Sequence, residues 1–429
     1  MSFPRYERYK ESGVEWLGEV PVGWEVKRLR YITDCLDGKR VPLNSEQRAD
    51  KQGDIPYWGA NSIVDYVDEA LFNEELVLLG EDGAPFFDRT RPVAFLVRGQ
   101  VWPNNHVHVL RPSISGSGHF MTYALNVTDY SQFIDGSTRD KLTQSSMAEI
   151  PIPWPNEIEQ HTIAAFLDRE TGKIDELVAE QERLIALLKE KRQATISHTV
   201  TKGLNPDAPM KDSGIVWLGA VPVGWEVKRF KALVSSIKAG PFGSALTKDM
   251  YVSDGYRVYG QEQVIPGDFT VGDYFISNDK FIELQQYQIA PGDILISCVG
   301  TFGKIAIVPK DIVPGIINPR LMRVRCAETV SGEYLATLLR SDAVFEQFSF
   351  LSRGGTMDII NIGILSEIFL VVPPIKEQTA ITAFLDNETA KIDTLVGEAR
   401  HAIDLLKERR CALISAAVTG KINVKGLAY

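Results

Sequence analysis

The segment EQHTIAAFLDRETGKIDELVAEQERLIALLKEKRQATISHTVT, Glu159 to Thr201, decides the architecture. It returns as EQTAITAFLDNETAKIDTLVGEARHAIDLLKERRCALISAAVT, Glu377 to Thr419, with 26 of 43 positions identical at an offset of 218. Glu, Lys, Leu, Ala, Arg and Ile dominate both copies and no proline interrupts either, so both predict long helices. Prolines stand just upstream (Pro151, Pro153, Pro155; Pro373, Pro374), where an extended segment stops before a helix starts. Forty helical residues span roughly 60 Å at about 1.5 Å per residue. Apolar residues recur at heptad-like spacing: Ile174, Leu177, Leu184 and Leu188 in the first copy, broken at Gln181. In the second they are Ile392, Leu395, Ala399, Ala402, Leu406 and Leu413, interrupted at Arg409. Such spacing predicts a coiled coil. Two similar seams in one chain have each other as partners, in an antiparallel pair; packing of each helix on its own domain alone is the other reading.

A second repeat lies upstream of each helix. WLGEVPVGWEVKR (Trp16 to Arg28) returns as WLGAVPVGWEVKR (Trp217 to Arg229), with only Glu19 changed, to Ala220, at an offset of 201. Solenoid periods run from about 20 to 50 residues, so each heading opens a whole domain instead. The text between heading and helix is strand-rich in both halves, with apolar runs such as Glu75–Leu79, Ala94–Val97, Asp293–Ser297 and Lys304–Val308 between Gly, Asp, Asn and Pro turns. From Arg30 to Ser131 it shows little register with the second half; register returns where GSTRDKL (Gly136 to Leu142) faces GGTMDII (Gly354 to Ile360). The expected architecture is α+β: two strand-rich domains related by a pseudo-twofold axis and separated by two long antiparallel coiled-coil helices. Its boundaries are 1–155 for the first heading and domain, 156–202 for the first helix, 203–373 for the linker, second heading and second domain, and 374–429 for the second helix and tail.

The chain has 429 residues, 44% hydrophobic and 24% charged, as in soluble globular proteins. No apolar run has the length of a membrane span and the N-terminus MSFPRYERYKESG lacks a signal-peptide core, which points to the cytoplasm. Cysteines 35, 298, 326 and 411 are scattered at neither metal-ligand nor redox spacing, the pattern of reduced thiols. Net charge is −10, whereas an autonomous nucleic-acid binder is usually basic.

A search for catalytic chemistry finds no coherent site. Lys304 follows Gly303, but Ile305 stands where a phosphate-binding loop needs Ser or Thr, and the upstream glycine is missing. Gly172-Lys173 and Gly420-Lys421 fail likewise, and Pro373-Pro374 lacks the flanking residues of an amino-methyltransferase loop. Asp212 with Glu226-Val227-Lys228 fits a metal nuclease loosely but belongs to the heading, whose first copy places Glu11, Glu25 and Lys27 the same way. No G-x-S-x-G elbow is present. His106 and His108 share a strand face, as two metal ligands could, without an evident third, so no metal is expected.

Taken together, these stretches resemble the DNA-specificity subunit of type I restriction-modification systems. Both headings resemble the entry to a target-recognition domain. GEDGAPFF (Gly80 to Phe87) with WPNNHVHVLRP (Trp102 to Pro112) resembles one type of such domain; GPFGSALTKD (Gly240 to Asp249), GDILIS (Gly292 to Ser297) and GGTMDIIN (Gly354 to Asn361) resemble another. The Pro-Pro-x-x-Glu-Gln run leading into AFLD (Pro373 to Asp386) resembles the junction into the spacer helix. The resemblance implies a subunit without catalysis of its own, each domain reading half of an asymmetric, split site in double-stranded DNA. The helices would serve as a ruler; half-sites one helical turn, roughly 34 Å, apart suit such a pair of readers. It implies two adenine methyltransferase subunits and two ATP-dependent motor-nuclease subunits as partners, which would bind S-adenosylmethionine, ATP and Mg while this chain binds no cofactor. Basic partners would also explain an acidic reader. Residues 29–150 carry 11 Lys/Arg against 17 Asp/Glu, and 230–368 carry 12 against 15, which predicts weak, salt-sensitive DNA binding by the isolated chain. A two-lobed protein-interaction scaffold without DNA recognition is the alternative.

Arg reads guanine best and Asn or Gln adenine, through paired hydrogen bonds. The candidates in the second domain are Arg320, Arg323 and Arg325 on NPRLMRVR, where a solvated edge strand is the competing reading. Phe242, Gly243 and Ser244 form a candidate loop, and Arg353, Gly355 and Thr356 form either a phosphate-contacting loop or a tight turn. In the first domain the candidates are Asn104, Asn105, His106 and His108, with Arg89 and Arg91 on phosphates; structural turns and core packing are the competing reading. Trp16, Trp24, Trp217 and Trp225 are expected inside their domains rather than on a partner surface.

Overall fold

The computed structural model describes residues 3–135, 140–216, 218–298, 304–351 and 362–427. The chain forms two units: Met1–Arg183 with Ala399–Tyr429, and Leu184–Glu398. Each contains one heading, one strand-rich domain, part of the first long helix (Glu157–Lys202) and part of the second (Ile375–Val418).

In the first unit the heading folds back on itself, Tyr9–Glu11 pairing with Glu19–Pro21, and its next strand, Glu25–Arg28, pairs antiparallel with Pro151–Trp154 just before the first long helix. The second unit repeats both pairings, Met210–Asp212 with Ala220–Pro222 and Glu226–Arg229 with Phe369–Val372. This explains why the headings repeat: each closes its domain where a long helix begins. Trp24 and Trp225 are buried in the two cores and Trp16 is half-buried, while Trp217 lies outside the described residues. Each buried indole packs near the glycine that ends a long helix. Gly420 (φ +71°) and Gly203 (φ +81°) adopt the left-handed conformation that favours glycine at a helix stop. A Cβ on Gly420 would lie 2.4 Å from the Pro21 ring, and one on Gly203 would lie 3.1 Å from Trp225.

The domains share one plan. In the first, strands β1 (Thr33–Cys35), β2 (Gln52–Trp58), β3 (Leu76–Gly80), β4 (Ala94–Val97), β5 (Gln100–Pro103) and β6 (Val107–Pro112) build two sheets. One is antiparallel in the order β1-β6-β3-β4; the other contains the parallel pair β2-β5. In the second, β7 (Val234–Ala239), β8 (Tyr256–Tyr259), β9 (Ile294–Ser297), β10 (Ile305–Ile307), β11 (Gly315–Ile317) and β12 (Leu321–Cys326) give the order β7-β12-β9-β10 and the parallel pair β8-β11. The central strands β3 and β9 are buried along their whole length, which is why they read as unbroken apolar runs.

Within each unit the long helices run antiparallel. In the first, Phe166 and Ile174 share a core with Leu413, Ile414 and Val418, and Arg410 Nε donates to Asp175 at 2.9 Å. In the second, Leu188 packs with Ile392 and Val396, Arg192 pairs with Asp393 at 3.2 Å, and Ile196 and Val200 share a core with Ile381 and Leu385. The α+β reading and the antiparallel helices stand. The seam needs correction. Ile174, Leu188, Ile392, Ala399 and Leu406 face inward, but Leu177, Leu184 and Leu395 are exposed. Their places on the packing face are taken by Val178, Ile185 and Val396, and Ile403 is more deeply buried than Ala402. One residue is about 100° of turn in a helix, so choosing Leu177 over Val178 moves a side chain off the face. Steps alternating between three and four, 174-178-181-185-188, describe the buried stripe, and Gln181 lies on it.

Candidate nucleic-acid interface

In each domain, loops from both sheets converge at one end. In the second unit, β7 ends beside the start of β12, with Gly240 N donating to Leu321 O at 2.8 Å. A Cβ at Gly240 would meet the Asn318 carbonyl oxygen at 1.9 Å, so only glycine allows this approach. Pro241 and Leu246 are buried and anchor the loop, whereas Phe242, Gly243 and Ser244 project from it, Phe242 being 70% exposed. From β8 comes Gln261, whose amide donates to Ser297 Oγ at 2.7 Å. From the turn before β12 comes Arg320, exposed and without a side-chain partner among the described residues. β9 also ends here, with Cys298 N donating to Arg320 O at 2.8 Å.

The equivalent end of the first unit is rich in charged groups. Asp37 follows β1, Glu81 and Asp82 follow β3, and Asn104, Asn105 and His106 precede β6. Arg40 ties them together, 2.6 Å from Glu81 and 3.5 Å from Asp37, and Lys141 lies 3.4 Å from Glu81. His106 Nδ1 lies 2.6 Å from Asp82 Oδ1, while Asn105 is exposed. Burial pushes the Asp37 carboxyl upward, but the His108 hydrogen bond and charge, the Val109 amide and Arg40 outweigh it and hold the group below the usual carboxylate range.

Several candidates belong to the framework. His108 is 1% exposed, with Nδ1 at 2.6 Å from Asp37 and Nε2 at 2.8 Å from Leu142 O, so neither ring nitrogen is available at a surface. It does meet the third ligand the sequence lacked: Asp37, Glu81 and His108 bring their donor atoms within 4.8 Å of one another. Arg40 and Lys141 already balance those carboxylates, and the cluster reads as a buried ion-pair network. Asn104 is buried and its Oδ1 accepts from His106 N at 2.7 Å. Arg323 is buried and donates to Gln288 O. Arg325 is half-exposed and bonds Asp293 at 3.0 Å. A solvated edge strand is excluded for both, because β12 lies between β7 and β9. Arg89 and Arg91 are exposed on the loop between β3 and β4, which reaches the second long helix, Cys411 Sγ donating to Arg89 O at 3.0 Å. They line a cleft of about 450 Å³ with Lys407 and Arg410, and its lining includes neither Asn105 nor His106. Arg353, Gly355 and Thr356 lie outside the described residues.

Arg40 and Gln261 escaped the sequence reading. A signal for the shared corner was present: Asn104-Asn105-His106 and Asn318-Pro319-Arg320 match at an offset of 214, between the 201 of the headings and the 218 of the helices. One shared asparagine is too little to see without the strands around it.

Two domains of one plan, each with its own loop end, define a duplicated recognition module. The sequence signature described as type I restriction modification DNA specificity domain matches residues 21–185 and 222–400, and the chain belongs to that family. It is 28% identical over 407 residues to a putative type I restriction enzyme specificity subunit, S.HindORF215P, of Haemophilus influenzae, covering 93% of this chain and 92% of the relative. It is 22% identical over 439 residues to the type I restriction enzyme EcoKI specificity subunit of Escherichia coli K12, covering 95% and 91%. Among solved structures, a chain from work on complex assembly and conformational transition of the type I R-M system superposes with a TM-score of 0.67 at 17% identity, covering 93% of this chain and 98% of that one. The HsdS subunit from Thermoanaerobacter tengcongensis superposes at 0.51, also at 17% identity, covering 94% and 98%. These two likenesses concern the fold.

Proposed function

We propose that this chain is the sequence-reading subunit of a type I restriction-modification complex and performs no chemistry itself. Each domain reads one half of an asymmetric, bipartite site in double-stranded DNA. The observation that carries this is the contrast between the two loop ends: one framework presents an Asp/Glu/Arg/His network in the first unit and Phe242, Ser244, Gln261 and Arg320 in the second. Equal frameworks with unlike ends are what two readers of unlike half-sites require. The long helices set the unread gap and dock two methyltransferase subunits, with exposed Leu177, Leu184 and Leu395 as apolar contacts. Two motor-nuclease subunits complete the assembly. Adenine N6 methylation and ATP-dependent cleavage belong to those partners, as do S-adenosylmethionine, ATP and Mg. The work is cytoplasmic, and among the described residues no helix is long and apolar enough to cross a membrane. The scaffold alternative has only the acidic charge in its favour.

The test is a methylome. The chain is expressed with its methyltransferase subunit in a host free of other modification, and N6-methyladenine is mapped at single-base resolution. One new asymmetric split motif, absent without this chain, is expected. A stable complex that methylates no defined motif refutes the reading.

A further inference from the structure

The corners at Asn104–His106 and Asn318–Arg320 are the same structure built twice. Asn318 N donates to Tyr259 O at 2.8 Å, and Asn104 N donates to Trp58 O at 3.0 Å. Asn318 Oδ1 accepts from Arg320 N at 2.9 Å, and Asn104 Oδ1 from His106 N at 2.7 Å. Arg320 O accepts from Cys298 N at 2.8 Å, and His106 O from Glu81 N at 2.9 Å. In each case the partners are the end of the parallel-pair strand, the asparagine side chain and the residue just after the central strand. The backbone of the third residue is thus fixed through both its N–H and its C=O, while its side chain projects. What projects differs. Arg320 carries a guanidinium with no partner among the described residues. His106 has Nδ1 on Asp82, its side chain is 40% exposed, and Nε2 has no partner among the described residues.

We infer that this corner is a base-reading position common to both units, with Arg320 reading a guanine in one half-site and His106 contacting a base in the other. The inference rests on the DNA-reading function proposed above and names the residues of that same site. A guanidinium can donate two hydrogen bonds to guanine O6 and N7 in the major groove, and such contacts are most selective when the backbone behind them is held rigidly. Asn104 and Asn318 are positioning residues, because they act only through the turn. Arg323 and Arg325 cannot share this role, being engaged with Gln288 and Asp293.

The experiment uses the complex of the full chain with its methyltransferase subunit. Its methylated motif is determined first, and absence of any motif would sink the DNA-reading function itself rather than this inference. Duplexes carrying each single base-pair change are then titrated against wild type, Arg320→Ala, Arg320→Gln and His106→Ala. For wild type, replacing one G·C pair in one half-site should weaken binding roughly 10- to 100-fold. Arg320→Ala should bring that ratio near one and leave the other half-site untouched; His106→Ala should do the mirror image. Should Arg320→Ala bind too weakly to titrate, Arg320→Gln decides, since glutamine pairs with adenine: loss of the guanine preference, or its replacement by adenine, supports the assignment. A uniform loss of affinity with an unchanged base profile would mean that Arg320 contacts phosphate, and overturns it. So does a retained guanine preference in Arg320→Gln, or relaxation in both half-sites by one substitution.

Discussion

The corrected helix seam makes a prediction that separates it from the alternative phase. Ile392 is 5% exposed and packs on Leu188, whereas Leu395, three residues on, is 47% exposed. Ile392→Ala removes three buried carbons, worth about 2.4 kcal/mol at ~0.8 kcal/mol each, and a helix pair open to solvent can relax around the gap. A total near 2–3 kcal/mol follows. Leu395→Ala loses at most about half of that transfer energy, and alanine's higher helix propensity offsets a few tenths of it, which leaves at most about 1 kcal/mol. For a unit of this size each kcal/mol moves the midpoint by about 2–4 °C, so Ile392→Ala should lower it by roughly 5–10 °C and Leu395→Ala by no more than ~4 °C. Scanning calorimetry of the full chain reads this directly, and two unfolding units can give two transitions, so the affected one is followed. Hydrogen exchange adds a local reading: amides near Leu188 and Ile392 should lose protection in the first variant only. Equal destabilisation by both, or a larger effect from Leu395→Ala, would refute the seam and restore the phase read from sequence.

The glycines that end the two helices should resist substitution unequally. Both adopt positive φ, a strain of about 1–2 kcal/mol for alanine, but a Cβ at Gly420 meets Pro21 at 2.4 Å and one at Gly203 meets Trp225 at 3.1 Å. Gly420→Ala should therefore lower the melting temperature more than Gly203→Ala, and the reverse order would contradict the described junctions. Asp37 should make the first unit acid-sensitive. Its folded pKa is depressed, so its contribution to stability is present above the unfolded value near 4 and is lost as pH falls through the folded one. The stability gap between wild type and Asp37→Asn should narrow below about pH 4, and a gap constant from pH 7 to pH 3 would disprove the linkage.

Much of this protein was legible in one dimension. Headings repeated at 201 and helices repeated at 218 required two domains of one plan, because repeats so long and so similar must build the same local structure twice. The absence of proline and the apolar periodicity were enough for helices of 46 and 44 residues, since both signals act within a few residues along the chain. The phase of the seam was not legible. Leu177 and Val178 are equally apolar, and only the curvature and partner of the helix decide which one turns inward.

Tertiary structure alone decided the roles of the polar residues. His106 and His108 stand two apart in the sequence, yet one reaches the surface and the other is closed in by Asp37 and Leu142, residues 71 and 34 positions away. Arg320, Arg323 and Arg325 look alike in NPRLMRVR, but β7 and β9 flank β12 and, among the described residues, leave the arginine at its entrance without a side-chain partner. Charge, size and propensity are properties of a residue and can be read from the chain. Whether a charge meets water, a counter-ion or a ligand is a property of what folds around it, and strands distant in sequence supply those neighbours.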